Sequence, residues 1–182
     1  MTPFVVVVCT GNLCRSPLAA ALLARELDAT GVDAGVASSG TGAPFRRPPD
    51  RRLLRVAQEL GLDLSAHRSE ALTAAQLERA DLVLTMTAEH RRHVEAMLPA
   101  AGARTVSLRS AAWKAQIMGR RPMPFEQWVA RLSADVPAAE RPRIDVSNDI
   151  PDPIGGPLRG YRAMGEEVAA LVSTLVDRWS GR

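Results

Sequence analysis

The sequence predicts an α/β fold, a three-layer α/β/α arrangement around a four-stranded parallel sheet, and three observations predict it. Strand-like and helix-like patterns alternate along the chain, which implies parallel βαβ units with helices on both faces. Val5 to Val8 form an unbroken β-branched run, the pattern of a strand covered on both sides. The run leads directly into Cys9-Thr10-Gly11-Asn12-Leu13-Cys14-Arg15-Ser16-Pro17. That strand, loop and helix start sits where open α/β sheets bind ligands, at the carboxyl end of a strand.

Taken in order, the patterns place strands at about 4–9, 34–38, 81–85 and 104–108, and helices at about 16–29, 50–60, 73–78, 88–97 and 160–178. Pro17 suits a first helical position, where its missing N–H costs nothing, and the apolar-periodic segment Leu18 to Leu27 carries that helix onward. In the last helix Met164, Val168, Leu171, Leu175 and Val176, with Trp179 near the end, form a stripe able to cover one sheet face. Phe125 to Leu132 has the spacing of a short amphipathic helix. There is no internal repeat.

Composition agrees with one domain spanning residues 1–182. The hydrophobic fraction is 46% but the aromatic fraction only 4%, so Leu, Val and Ala must build the core. A net charge of +3 and a pI near 9.5 do not argue for nucleic acid, because the arginines are dispersed among acids and no aromatic residues interleave with a basic stripe. The N-terminal apolar run is too short for a membrane span and lacks the basic leader of a signal peptide, so a cytoplasmic protein with no membrane partner is expected. Two cysteines, both in one loop, make no disulfide framework, though Cys9 and Cys14 could pair reversibly on oxidation and so guard Cys9 from over-oxidation.

The loop residues have a common chemistry. Backbone N–H groups turned inward ahead of a helix N-terminus make a cradle for a tetrahedral oxyanion. A thiol at the lip of such a cradle is favoured as thiolate, which makes Cys9 the candidate nucleophile. Arg15 offers a planar fork that can grip two oxygens of a phosphoryl group, which Lys cannot do. Ser16 can donate its hydroxyl to the Cys9 thiolate. Gly11 permits close approach, Asn12 tolerates a left-handed backbone and can brace its own loop, and Leu13 would form a pocket wall. Taken singly, a buried Cys or a helix-starting Ser-Pro is ordinary structure; the signal lies in the combination.

That combination resembles the low-molecular-weight protein tyrosine phosphatase family and its flavodoxin-like phosphatase fold. Several further segments are similar to the family pattern, over most of residues 3–108 and 145–179. Ala37-Ser38-Ser39-Gly40-Thr41 resembles its Ser-Ala-Gly-Thr segment, and Ser38 falls on a serine that buttresses the phosphate loop through the loop Asn. His67, in Ala66-His67-Arg68-Ser69, would join Ser38 and Asn12 in that network. Asp152, in Asp149-Ile150-Pro151-Asp152-Pro153, matches the general acid, with Asp149 as the fallback. The resemblance therefore implies a phosphomonoester hydrolase that works through a phosphocysteine, with Cys9, Arg15 and Asp152 catalytic and Thr10, Gly11, Asn12, Leu13, Cys14, Arg15 and Ser16 holding phosphate. Its partners would be a phosphorylated protein or small phosphoester and the phosphate product. No cofactor and no metal are called for, since His67, His90 and His93 lie outside any ligand spacing. His90 and His93 read as part of a solvated, Arg-rich helix face.

Two departures bear on substrate. Residues 109–143 read as an insertion, holding Trp113, Phe125 and Trp128, and are expected to form either a packed surface excursion or a lid bringing an aromatic ring to the leaving-group side. Ile154-Gly155-Gly156 stands where many family members place aromatic residues, so the cleft wall is expected from Pro44, Phe45 and Ile154. Arg46-Arg47 and Arg51-Arg52 lie in the segment after Thr41, which forms one wall of the family's cleft; they are expected either to attract an acidic or phosphorylated substrate or to form a solvated basic loop. Leu13 is bulky, like the aliphatic residue of tyrosine-specific relatives and unlike the small polar one of relatives acting on phosphoarginine. Phosphotyrosine is thus the first expectation, with phosphoarginine or a small phosphoester as alternatives. A reductase of arsenate would have to borrow a low-molecular-weight thiol, because residues 15–182 contain no cysteine.

Overall fold

The computed structural model describes residues 2–119, 123–134 and 148–181. In it the valine run forms β1 (Phe4–Cys9), the inner strand from which the rest of the architecture is laid out. It pairs in parallel with β2 (Gly35–Gly40) on one side and with β3 (Leu82–Thr85) on the other, and β3 pairs with β4 (Thr105–Ser107), giving the order β2-β1-β3-β4. The helices are α1 (Arg15–Thr30), α2 (Arg51–Glu59), α3 (Ala74–Arg79), α4 (Ala88–Met97), α5 (Leu108–Met118), α6 (Phe125–Ser133) and α7 (Leu158–Ser180), with a 3₁₀ turn at Pro99–Arg104. The expected three-layer fold with a four-stranded parallel sheet is what forms.

The unbroken apolar run has its explanation in the two cores. Val5 and Val7 pack with Leu82 and Leu84 against α1, α5 and α7, whereas Val6, Val8 and Val83 face Leu77 of α3 and Val94 of α4. A strand buried on both faces has no solvent side for polar residues to occupy.

Helix α1 begins earlier than its sequence pattern suggests. Arg15 is its first residue, so Pro17 is the third rather than the first; its absent N–H is still one of those without an intrahelical partner. Early helix entry draws Arg15 and Ser16 into the ordered turn beside Cys9.

After β4 the chain turns straight into α5, with the Ser107 side chain accepting from Ser110 N, and α5 packs on α7. The short helix expected at Phe125 forms as α6. Its aromatic residues do not serve a cleft: Phe125 stacks on Trp179 with ring centroids 4.7 Å apart, and Trp128 lies 5.7 Å from the same ring. Both are buried in the core, so of the two alternatives expected for this segment these residues follow packing and not a lid. Trp113, on α5, is half-buried. Lys114, buried on the same helix, donates to the carbonyls of Leu132, at 2.6 Å, and Ala134, closing the C-terminal end of α6.

Candidate active site

At the carboxyl end of β1 the chain leaves the sheet through Cys9 and rejoins it only through α1, so residues 10–14 form a tight loop over the strand ends. Asn12 takes a left-handed conformation, φ 51°, which its short polar side chain tolerates. That turn sends the Asn12 amide into the protein, where it is completely buried. Its Nδ2 donates to Ser16 Oγ (3.0 Å) and Ser38 Oγ (2.9 Å), and its Oδ1 accepts from Glu70 N (2.9 Å). His67 donates from Nε2 to the Asn12 main-chain carbonyl (2.9 Å). Ser38, Asn12 and His67 are thus brought together as expected, with Glu70 N–H as an additional member.

Gly40, at the end of β2, allows the loop to lie this close. A Cβ there would stand 2.4 Å from Thr10 O and 2.9 Å from Asn12 N, so any side chain would push the loop off the sheet. The following segment is tied to the loop at both ends, by Gly42 N–H to Thr10 O (2.9 Å) and Asp50 N–H to Leu13 O (3.1 Å). Pro44 and Phe45 sit in the exposed arch between these anchors, and Phe45 is 89% exposed.

Cys9 is buried, with Sγ 3.0 Å from Ser16 Oγ. Because the Asn12 amide already donates to Ser16 Oγ, the Ser16 hydroxyl proton is available to a Cys9 thiolate. Cys14 differs: burial first, then the negative charges of Asp152 and Cys9, pushes its thiol far above the ordinary range. It stays protonated and is a poor nucleophile. Leu13 and Gly11 are half-buried on the rim, and Thr10 is exposed.

On the opposite side Arg15 is only 4% exposed. Its Nη1 donates to Ile150 O (3.0 Å), and its Nη2 meets Asp152 Oδ2 at 2.5 Å and Thr10 Oγ1 at 3.4 Å. Arg15 Nε is a buried donor without a partner. A guanidinium N–H of this kind is able to donate to an oxyanion. Asp152 is 38% exposed and is held from its own loop by Ile154 N–H to Oδ1 (3.2 Å). Ile154 is 47% exposed. Asp149 is used elsewhere, accepting from Ala88 N at the start of α4 (2.8 Å).

One member of this neighbourhood was read differently in the sequence. His90 does not lie on a solvated face: it is 4% exposed, with Nε2 2.9 Å from Thr10 Oγ1 and Nδ1 2.9 Å from Thr87 Oγ1. Burial, with the Arg15 charge adding to it, lowers its pKa to about 4, so the ring is neutral at neutral pH. Among the described residues no group of three His, Cys, Asp or Glu side chains could hold a metal ion, and no helix is long and apolar enough to cross a membrane.

Residues 4–118 match the family model of low molecular weight phosphotyrosine protein phosphatases. The chain belongs to that family. A probable low molecular weight protein-tyrosine-phosphatase EpsP of Ralstonia solanacearum is 39% identical over 99 residues, 54% of this chain and 66% of that protein. The match thus spans just under two thirds of the Ralstonia protein. A protein-arginine-phosphatase of Geobacillus stearothermophilus is 31% identical over 171 residues, 94% of this chain and 92% of that protein. The crystal structure of a low molecular weight protein tyrosine phosphatase from T. tengcongensis superposes with a TM-score of 0.76 at 27% identity, covering 98% of this chain and all of that one.

Proposed function

We propose that this chain is a phosphomonoester hydrolase in which Cys9 is the nucleophile, Arg15 and the loop N–H groups bind the phosphoryl oxygens, and Asp152 is the general acid. The observation that carries the reading is the meeting of Arg15 with Asp152 at 2.5 Å beside Cys9, with Arg15 Nε left unpaired. The Cys9 thiolate attacks phosphorus, the bond to the leaving oxygen breaks, and Asp152 gives that oxygen its proton. Water then attacks the phosphocysteine, loses a proton to the Asp152 carboxylate, and releases phosphate and the thiolate. Charge on the equatorial oxygens is balanced throughout by Arg15.

Phosphotyrosine in a protein is the first substrate class, consistent with the family and the bulky Leu13. A second reading, phosphoarginine, draws on the arginine-phosphatase relative that spans nearly the whole chain. Ile154 and Gly155 after Asp152-Pro153 favour neither ring stacking nor tyrosine selectivity. The unit is taken as the whole chain; of the stretch 109–143, residues 109–118 fall within the family match, 120–122 and 135–143 lie outside the described residues, and Phe125 and Trp128 between them pack in the core.

Cys9→Ser is the direct test. Turnover of p-nitrophenyl phosphate should vanish while vanadate binding stays measurable by calorimetry; near-normal turnover would overturn the mechanism. Initial rates on matched phosphotyrosyl and phosphoarginyl peptides then decide the substrate class.

A further inference from the structure

Thr10 follows the nucleophile directly, and its hydroxyl is the meeting point of two groups from distant parts of the chain. Arg15 Nη2 approaches it at 3.4 Å and His90 Nε2 at 2.9 Å. A guanidinium nitrogen can only donate, so Thr10 Oγ1 accepts from Arg15 and its own proton is free to go to His90 Nε2. The second ring nitrogen then carries the hydrogen and donates to Thr87 Oγ1, 2.9 Å away. Thr87 is itself fixed as the N-cap of α4, its hydroxyl accepting from His90 N (3.2 Å). The four groups make one directional chain, Arg15 to Thr10 to His90 to Thr87, in which each link runs from a donor to an acceptor. An imidazolium would break it, placing an Nε2 donor on the same hydroxyl and a second positive charge beside Arg15.

The chain matters because the other side-chain partner of Nη2 is the group that must move. When Asp152 turns to the leaving oxygen it gives up Nη2, and among the described residues Ile150 O and Thr10 Oγ1 remain as the protein acceptors that hold the guanidinium against the phosphoryl group.

We propose that His90 is a positioning residue: by accepting the Thr10 hydroxyl proton it aims an oxygen lone pair at Arg15 Nη2 and keeps the phosphate-binding fork in place while Asp152 is away. The proposal rests on the reading of Arg15 as the phosphoryl-binding group. It concerns a side chain that touches neither the phosphoryl group nor the nucleophile, and that acts through Thr10 alone.

The test is a double-mutant cycle on the full chain. For wild type, His90→Ala, Thr10→Val and the double variant, kcat and KM for p-nitrophenyl phosphate are measured together with the competitive inhibition constant of inorganic phosphate. Each single variant should weaken phosphate and lower kcat/KM by up to roughly tenfold, the scale of one hydrogen bond. The double variant should be no worse than either, because both changes cut the same chain. His90→Gln, whose amide oxygen can accept the Thr10 proton, should recover most of the loss, which a role in packing alone would not produce. Losses that multiply in the double variant overturn the proposal, as does a His90→Ala enzyme with a lower melting temperature and unchanged kinetic constants. Should His90→Ala fail to fold, Thr10→Val and His90→Gln carry the same expectations. Arg15→Ala separates the two levels. If it binds phosphate as wild type does, the phosphatase reading fails and this proposal with it; if it abolishes binding while the His90 and Thr10 variants are unaffected, only the positioning role is lost.

Discussion

On the β2 side of the phosphate loop, the buried Asn12 places both its amide hydrogens and its oxygen on protein partners, and Ser38, His67 and Glu70 N–H complete the network around it. On the β3 side, Arg15 is equally buried but carries a full charge, has an unpaired Nε, and meets a carboxylate that is 38% exposed. The first arrangement has no vacancy for a ligand and serves to keep the loop in shape. The second is incomplete and half-open, which is what a group that must exchange partners during a reaction requires. The Asn12 side reaches Cys9 through Ser16, and the Arg15 side reaches Thr10, the next residue along the chain, so shape and reactivity are set by different residues of the same loop.

The largest effect that could break this division lies at Asp152. If it supplies a proton rather than only pairing with Arg15, Asp152→Ala should slow phenyl phosphate by roughly 10²–10⁴-fold and an activated nitrophenyl ester much less, since a good leaving group needs little protonation. Equal losses on both esters would leave Asp152 as a binding group. Asp149→Ala, measured the same way, should show no leaving-group dependence, because its carboxylate is already engaged by Ala88 N.

Next in size is a pH effect on stability from His90. Its pKa is about 4 in the folded protein, against about 6.5 for an ordinary histidine, so between these values the unfolded chain binds more protons than the native one. Stability therefore falls as pH drops from above 6.5 to about 4, and this contribution is flat below both values, with a full span on the order of 3 kcal/mol. Arg15 reinforces the shift, while Glu89, Asp149 and Asp152 oppose it. Urea unfolding at pH 7, 5.5 and 4.5 should show a shallower decline for His90→Gln than for wild type; parallel declines would mean the imidazole is not held neutral.

The Asn12 side of the loop gives the third effect. Asn12→Ala strips partners from buried groups and puts a Cβ-only residue at positive φ, which should cost roughly 1–3 kcal/mol and lower the melting temperature by several degrees. A melting temperature unchanged within a degree would show that Asn12 is not the brace its contacts suggest.

What was readable in advance follows the same line. Cys9, Arg15 and Ser16 are contiguous, and a loop between strand and helix brings such neighbours together without tertiary information. Asn12 announced its left-handed turn by residue type alone. His90 gave no such sign, because its decisive partner Thr10 lies 80 residues away and Arg91 and Arg92 beside it look like a solvated face. The usable clue was Thr87, a cap residue at the carboxyl end of β3, next to the strand end that carries Cys9. Helix α5 shows in the spacing of Leu108, Ala111, Ala112 and Ala115, but three of those four are alanines and make only a faint apolar stripe. Phe125 and Trp128 mark a helix face, yet periodicity cannot say what that face meets; Trp179, at the far end of α7, had already claimed it.

The smallest expected effect concerns the arch between Gly42 and Asp50, which is fastened at both ends to phosphate-loop carbonyls and so holds a fixed place beside the site. Arg46 and Arg47 are exposed on it, and among the described residues neither pairs with a carboxylate. Solvent-exposed charges of this kind act mainly on encounter and are screened within about 10 Å at 0.1 M salt. A phosphopeptide flanked by acidic residues should therefore show a kcat/KM roughly fivefold above that of a neutral-flanked one at low salt, with the gap closing at high salt. The Arg46→Gln, Arg47→Gln double variant should lose that preference while handling p-nitrophenyl phosphate as wild type does. A preference that survives the double change, or that ignores salt, would move substrate selection away from this arch and back to the residues around the loop itself.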